Sequence, residues 1–249
     1  MLRDLINTRT LAVAHRGDPL VKPQNTESAF RSALQYDIDM IETDINLTKD
    51  GVPVIIHDQS VDHLSDGTGR VADMTLARLK KLDFGSWMGG EFKGERIMTL
   101  DECLDLIKGF DVALNLEIKN GPVVYPDITE KTLSSISDHG MGERVIISSF
   151  DHRLIRQIKS IDPKMLTGIL YHAGLIDHIA PAKDALADGI HPEHGTVTEE
   201  LVRTAKEAGL FINTWTVDEV ERMRELRDMG VSGIISNFPG LLVDTIKKH

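Results

Sequence analysis

The rhythm of the second half of the chain restricts the fold more than any other feature. Apolar, β-branched runs at 144–150, 166–171, 189–191, 210–215 and 233–236 alternate with helical patterns near 153–160, 175–187, 198–208, 218–229 and 241–247. Strands separated by helices cannot pair as hairpins, so the alternation predicts a parallel sheet. The first half adds strands at 10–14, 40–47, 52–56 and 113–119. Asn25 or Thr26 can cap a helix starting near Glu27, Thr99 one that runs to Lys108, and a further helix covers about 127–139. That makes nine candidate strands, one more than an eight-stranded barrel needs. The surplus is either the segment after Gly51 or the short one at Gly189. A chain of 249 residues has the length of a (β/α)₈ barrel, about 250.

The stretch Met40 to Asp58 carries the densest chemistry. Residues two apart on a strand share a face, so Glu42 and Asp44 point the same way. Two carboxylates so placed can hold a hard divalent cation, or they can be a solvated pair on an edge strand. Lys49-Asp50-Gly51 reads as a tight turn, and Val52 to Ile56 returns antiparallel, ending in His57-Asp58. With the turn centred on Lys49-Asp50, His57 is expected opposite Glu42. Other strand ends carry His15-Arg16, Glu117 with Lys119, and Asn213 with Trp215. In a barrel those ends converge on one face. Glu42, Asp44 and Glu117 then become an oxygen cage suited to Mg²⁺ or Ca²⁺ rather than Zn²⁺.

Composition removes several classes. A net charge of −11 argues against nucleic-acid binding. Cys103 is the one cysteine, which excludes an internal disulfide and a zinc-thiolate cluster. No run of about 18 apolar residues is present, and the first ten residues are mixed and charged, so a cytoplasmic protein without membrane insertion is expected. The 59–98 stretch is rich in Gly, Asp and Lys, has one short helical pattern near 75–82, and reads as an excursion from the scaffold. Its Phe84, Trp87 and Met88 are candidates to roof a pocket.

His15-Arg16-Gly17 with Pro23-Gln24-Asn25-Thr26, Ile41-Glu42-Thr43-Asp44, Thr48-Lys49-Asp50-Gly51, His57-Asp58, Leu116-Glu117-Ile118-Lys119 and Trp215-Thr216-Val217 occur in this order. Together with Gly69-Arg70-Val71 and Ser236-Asn237-Phe238-Pro239, they make the chain resemble the glycerophosphodiester phosphodiesterase family over nearly its whole length. The resemblance implies a single TIM-barrel domain over 1–249 with a small insertion after His57, at about 59–98. It implies hydrolysis of a small glycerophosphodiester to glycerol 3-phosphate and an alcohol. Glu42, Asp44 and Glu117 would bind the cation, Arg16 and Lys119 the phosphate oxygens, and His15 and His57 would be the acid–base pair. Gln24 stands where the family usually has Glu, a departure expected to perturb the site mildly.

Blander roles stand beside these. Arg16 can simply pair with Asp44 or Glu42, and Lys119 can neutralise the carboxylates. Trp215 can pack or form a wall for glycerol, and Asn213 can bind substrate or satisfy backbone. His191 either lines the pocket or bonds locally. His63, His139, His152, His172, His178, His194 and His249 are expected to be ordinary. Two competing functions remain: a non-catalytic barrel binding a phosphorylated ligand, and a lyase releasing a cyclic phosphate. Mere binding needs no pair of proton-transfer groups, so His15 and His57 favour the enzyme. Headgroup, choice of metal and oligomeric state are not legible.

Overall fold

A computed structural model describes residues 2–247; His249 lies outside the described residues. The strands are β1 (Leu11–His15), β2 (Met40–Leu47), β3 (Pro53–Ile55), β4 (Ala113–Ile118), β5 (Val145–Ser149), β6 (Leu166–Tyr171), β7 (Gly189–Pro192), β8 (Phe211–Thr214) and β9 (Gly233–Ser236). Eight of them are parallel and run in the order β1-β9-β8-β7-β6-β5-β4-β2, and pairing of β1 with β2 closes the ring. The surplus strand is β3, antiparallel on the far end of β2; the segment at Gly189 is a full stave. No helix among the described residues is long and apolar enough to cross a membrane.

The helices are α1 (Leu2–Leu5), α2 (Glu27–Ala33), α3 (Leu76–Leu79), α4 (Leu100–Lys108), α5 (Ile128–Asp138), α6 (His152–Ile161), α7 (Ala180–Asp184), α8 (Glu199–Glu207), α9 (Val220–Met229) and α10 (Pro239–Ile246). Sequence signals explain most boundaries. Thr26 rather than Asn25 caps α2, its Oγ1 accepting from Ala29 N. Thr99 and Glu102 form a reciprocal capping box on α4, a device worth about 1 kcal/mol. Helix α7 is much shorter than its apolar pattern suggests. Asp177 Oδ1 takes the N–H groups of Ile179 and Ala180, and Pro181 sits in the first turn, so the chain before Ala180 stays irregular.

Period-two alternation divides each stave between two environments. Outward residues such as Ile41, Leu114, Ile147 and Ile234 pack against the helices. Inward residues near the strand starts, among them Leu11, Val13, Met40, Ala113, Phe211 and Ile235, form a separate apolar plug. Leu2 and Ile6, from a segment without an obvious strand or helix pattern, join that plug and close the barrel floor. One or two steps further along the same inward faces stand His15, Glu42, Asp44, Asn115 and Glu117. The barrel is thus apolar below and polar above.

The excursion after β3 has a core of its own, with Ile56, Val61, Val71, Met74, Leu79, Phe84 and Ile97 buried together. Asp83 ties its loops, accepting from the N–H groups of Gly85, Ser86 and Gly94.

Candidate active site

Glu42, Asp44 and Glu117 meet inside the upper barrel. Strands β2 and β4 are registered with Asp44 opposite Glu117, so two acids of one strand and one of its neighbour share a layer. All three are buried, with one ligand oxygen from each lying within 4.8 Å of the others. Asp44 Oδ2 accepts from Asn25 Nδ2 at 2.9 Å and lies 3.2 Å from Arg16 Nε. Lys119 Nζ stands 2.5 Å from Glu117 Oε1 and 3.0 Å from Asp44 Oδ1. The second approach is not aligned as a hydrogen bond, and Asp44 Oδ1 and Glu42 Oε2 have no hydrogen-bond partner.

Three carboxylates therefore face two cations, and burial decides which stay ionised. Burial first, then the charges of Asp44 and Glu117, push Glu42 well above the usual carboxylate range. Burial likewise raises Glu117 to about 7, against the pull of Lys119. Burial acts on Asp44 too, yet Lys119 and Arg16 together hold it far below its usual value. Buried oxygens without partners are costly, and a divalent cation would satisfy them. The donor set of three hard carboxylates fits Mg²⁺ or Ca²⁺.

A proton linkage follows. In the cation-free protein Glu117 binds a proton that the unfolded chain has already released between its ordinary value of 4.5 and about 7. Folding stability of that form is accordingly expected to fall as pH rises through this window. A cation must displace the same protons, so its affinity should rise with pH toward 7 and binding at pH 6 should release protons. Calorimetry in buffers of different ionisation enthalpy measures the release; none at pH 6 would contradict this account.

The two histidines differ in their support. His15 ends β1, and its Nδ1–H donates to Asn237 Oδ1 at 2.6 Å. The amide is oriented because Asn237 Nδ2 donates to Asp218 Oδ2 at 2.8 Å, which assigns the tautomer and leaves Nε2 of His15 bare. Burial, then Arg16, lowers His15 to about 4. His57 has Asp58 Oδ1 at 2.6 Å from its Nδ1 and is more open to solvent. Burial lowers it too, opposed by Asp44. The register differs by one from the expected hairpin: Ile45 faces Ile55 and Leu47 faces Pro53, so positions summing to 100 pair and His57 falls beyond Thr43 rather than opposite Glu42. The cause is the turn, which centres on Asp50 with Gly51 at φ +77° and Gly51 N–H donating to Thr48 O. His57 nevertheless reaches the site. Its strand exit is pinned by Asn46 Nδ2 donating to Ile56 O at 2.8 Å, while Tyr125 Oη donates to Asn46 Oδ1 at 3.2 Å.

Arg16 lies in the left-handed region at φ +55°, its N–H donating to Glu42 O and its carbonyl accepting from Asn25 N–H. Its Nη1 donates to Gln24 Oε1 at 2.6 Å, so the amide oxygen of Gln24 supplies an acceptor for the guanidinium. Around a cavity of about 110 Å³ gather His15, Arg16, Glu42, His57, Glu117, Lys119 and Trp215. Asp44 belongs to the cage at its edge. Asn213, expected to bind substrate, is not among the residues lining this cavity: it lies on β8 two residues before Trp215, hence one layer deeper, buried beside His191 with Nδ2 3.5 Å from Nε2. His191 is also below the cavity and is driven down to about 3 by burial. Gly168 makes room for it, since a Cβ there would lie 2.4 Å from His191 Nε2.

Sequence reasoning missed Asn25, Asn237, Asp218 and Phe150. The first two sit inside quoted motifs, where Asn25 reads as a helix cap and Asn237 has no assigned task. Phe150 closes β5 and meets Trp215 edge to face at 5.6 Å. Phe84, Trp87 and Met88 do not line the cavity; Phe84 is in the excursion's own core and Trp87 Nε1 donates back to Phe84 O.

Comparison with known proteins points the same way. Residues 15–241 match the profile of the glycerophosphoryl diester phosphodiesterase family. The chain is 43% identical over 242 residues to a glycerophosphodiester phosphodiesterase of Caldanaerobacter subterraneus subsp. tengcongensis, covering 96% of this chain and 99% of that one. It is 32% identical over 251 residues to one from Bacillus subtilis, covering 94% and 85%. Among solved structures, a putative glycerophosphoryl diester phosphodiesterase of Silicibacter pomeroyi superposes with TM-score 0.88 at 26% identity, covering 98% and 97%. A phosphodiesterase of Oleispira antarctica in complex with the product sn-glycerol-3-phosphate superposes with TM-score 0.85 at 26% identity, covering 98% of each chain.

Proposed function

The chain belongs to the glycerophosphoryl diester phosphodiesterase family and is an enzyme of that class, and from that premise we propose that it hydrolyses glycerophosphodiesters to glycerol 3-phosphate and an alcohol with a divalent cation. The observation that carries the reading is the meeting of a three-carboxylate cage, two cationic side chains and two imidazoles around one cavity. The product bound to the Oleispira antarctica phosphodiesterase supports the glycerol 3-phosphate half. We assign residues 59–98 to an insertion in one catalytic domain, on the strength of their separate apolar core.

Glu42, Asp44 and Glu117 would hold Mg²⁺ or Ca²⁺, which when bound stabilises charge on a phosphate oxygen. Arg16 offers a planar fork to the remaining oxygens and Lys119 a point charge. Trp215 walls the glycerol side of the cavity. His15, neutral and with Nε2 bare, takes the proton of the attacking water. His57, more solvated and backed by Asp58, carries the proton that the leaving alcohol needs. Its pKa rises, so that it is protonated for this task, when the anionic substrate replaces solvent nearby, because an adjacent negative charge favours the imidazolium.

Phosphorus NMR of glycerophosphocholine turnover in ¹⁸O-water tests the reading. Glycerol 3-phosphate with one solvent oxygen is expected from the outset. A cyclic phosphate would make the protein a lyase. No turnover with the cation bound would make it a binding barrel.

A further inference from the structure

The 110 Å³ cavity is too small for a complete diester with its headgroup, since sites for larger organic ligands run about 300–1,000 Å³. A second, more open cavity of about 790 Å³ adjoins it and shares His57, Glu117, Lys119 and Phe150. His15 lines the inner cavity and not the outer one, whereas His57 lines both. An acid standing between two cavities protonates an alcohol that departs into the one its partner base does not reach.

The outer cavity has built walls. Gln59 clamps the excursion to the loop after β4, its Nε2 donating to Val123 O at 3.0 Å and its Oε1 accepting from Val123 N at 2.9 Å. Ser60 and Arg70 form a bridge, and Val71 N–H donates to Gln59 O at 3.0 Å, so the backbone carrying Arg70 is pinned at the rim. The charges there are unequal in their engagement. Asp58 is taken by His57 and Glu117 by Lys119. Among the described residues, no carboxylate pairs with Arg70. Phe150 and His172, their rings 6.0 Å apart, give the same cavity an aromatic wall.

We propose that the outer cavity is the leaving-alcohol subsite and that Arg70 makes it select alcohols bearing an anionic group. The assignment rests on the hydrolytic reading above. It selects a carboxylate or second phosphate over a quaternary ammonium, which the aromatic wall would otherwise favour through cation–π attraction.

Glycerophosphoserine and glycerophosphoethanolamine differ by one carboxylate and provide the test. With the cation present, the ratio of their kcat/KM values should favour the serine diester by about 10-fold, the scale of one charge-assisted hydrogen bond. Arg70→Gln should bring the ratio near one, and Arg70→Lys should keep part of it; thermal melting confirms that each variant is folded. A wild-type ratio near one, a ratio unchanged in Arg70→Gln, or a preference for glycerophosphocholine would overturn the proposal. If neither diester is turned over, the catalytic reading has failed. Calorimetric binding of the same two diesters to wild type and Arg70→Gln then decides the selectivity separately: a carboxylate preference lost in the variant upholds it, and equal binding ends it.

Discussion

His15→Ala and His57→Ala are each expected to lower kcat by about 10²–10⁴-fold, the range of positioned acid–base catalysis. The two losses should respond differently to the leaving group. With p-nitrophenolate, which hardly needs protonation, activity should return in His57→Ala and stay low in His15→Ala. The reason is local. His15 is lowered to about 4, chiefly by burial, and donates Nδ1–H to a neutral amide, while its Nε2 makes no hydrogen bond and the Glu42 carboxylate stands off at 3.8 Å. His57 has a carboxylate at 2.6 Å and a share of solvent. The pH–rate profile should be bell-shaped, its limbs belonging to the coupled pair. Asn237→Ala removes the amide that holds the His15 tautomer, and its effect should fall on the limb that reports the base. Rescue of His15→Ala instead would exchange the roles. Near-wild-type kcat in both variants, or loss of the cation in either, would end the assignment.

Chelation should bring turnover below detection, with recovery on adding back Mg²⁺ or Ca²⁺. Glu42→Gln and Glu117→Gln should weaken the cation by more than the roughly 10–100-fold typical of outer-shell changes, because each removes a direct oxygen charge. Glu42→Gln should also do something a merely damaging mutation would not. Glu42 Oε2 has no hydrogen-bond partner, the closest basic atom being His15 Nε2 at 3.8 Å. An amide there carries no charge to desolvate, so the cation-free variant should melt higher than cation-free wild type at pH 8. Each kcal/mol corresponds to about 2–4 °C for a chain of this size. The rise in Tm that the cation gives wild type should vanish in the variant. Full activity after verified removal of metal, or an undiminished cation-induced Tm shift in Glu42→Gln, would refute the cage.

Local pattern and local geometry divide the remaining account. Gly51, Thr99 and Thr26 act where their sequence neighbourhoods suggest, because turns and caps are settled within a few residues. The pairing of Glu42 with Asp44 is equally local, since two residues on a strand always share a face. Register is less forgiving. A turn centred on Asp50 rather than between Lys49 and Asp50 shifts the pairing by one and moves His57 off Glu42, and no pattern in Val52 to Ile56 distinguishes the two registers, because every residue there is apolar. Helix α7 is shorter than its apolar spacing suggests because that spacing ignores Asp177 and Pro181, whose backbone effects delay the start of a helix that hydrophobicity would begin earlier.

From the sequence alone come the βα alternation, the inward acids, both site histidines and the motif order that places the chain in its family. Each depends on residue type and short spacing, and strand and helix periodicities hold in any context. Tertiary structure alone decided which strand was surplus, how deep Asn213 lies, and that Asn237 and Asp218 stand behind His15. It also decided that Phe150 and Arg70, 80 positions apart by their numbers, border one cavity. These outcomes depend on ring closure and on where loops from different staves meet. A contact between distant segments leaves no periodic trace in either one.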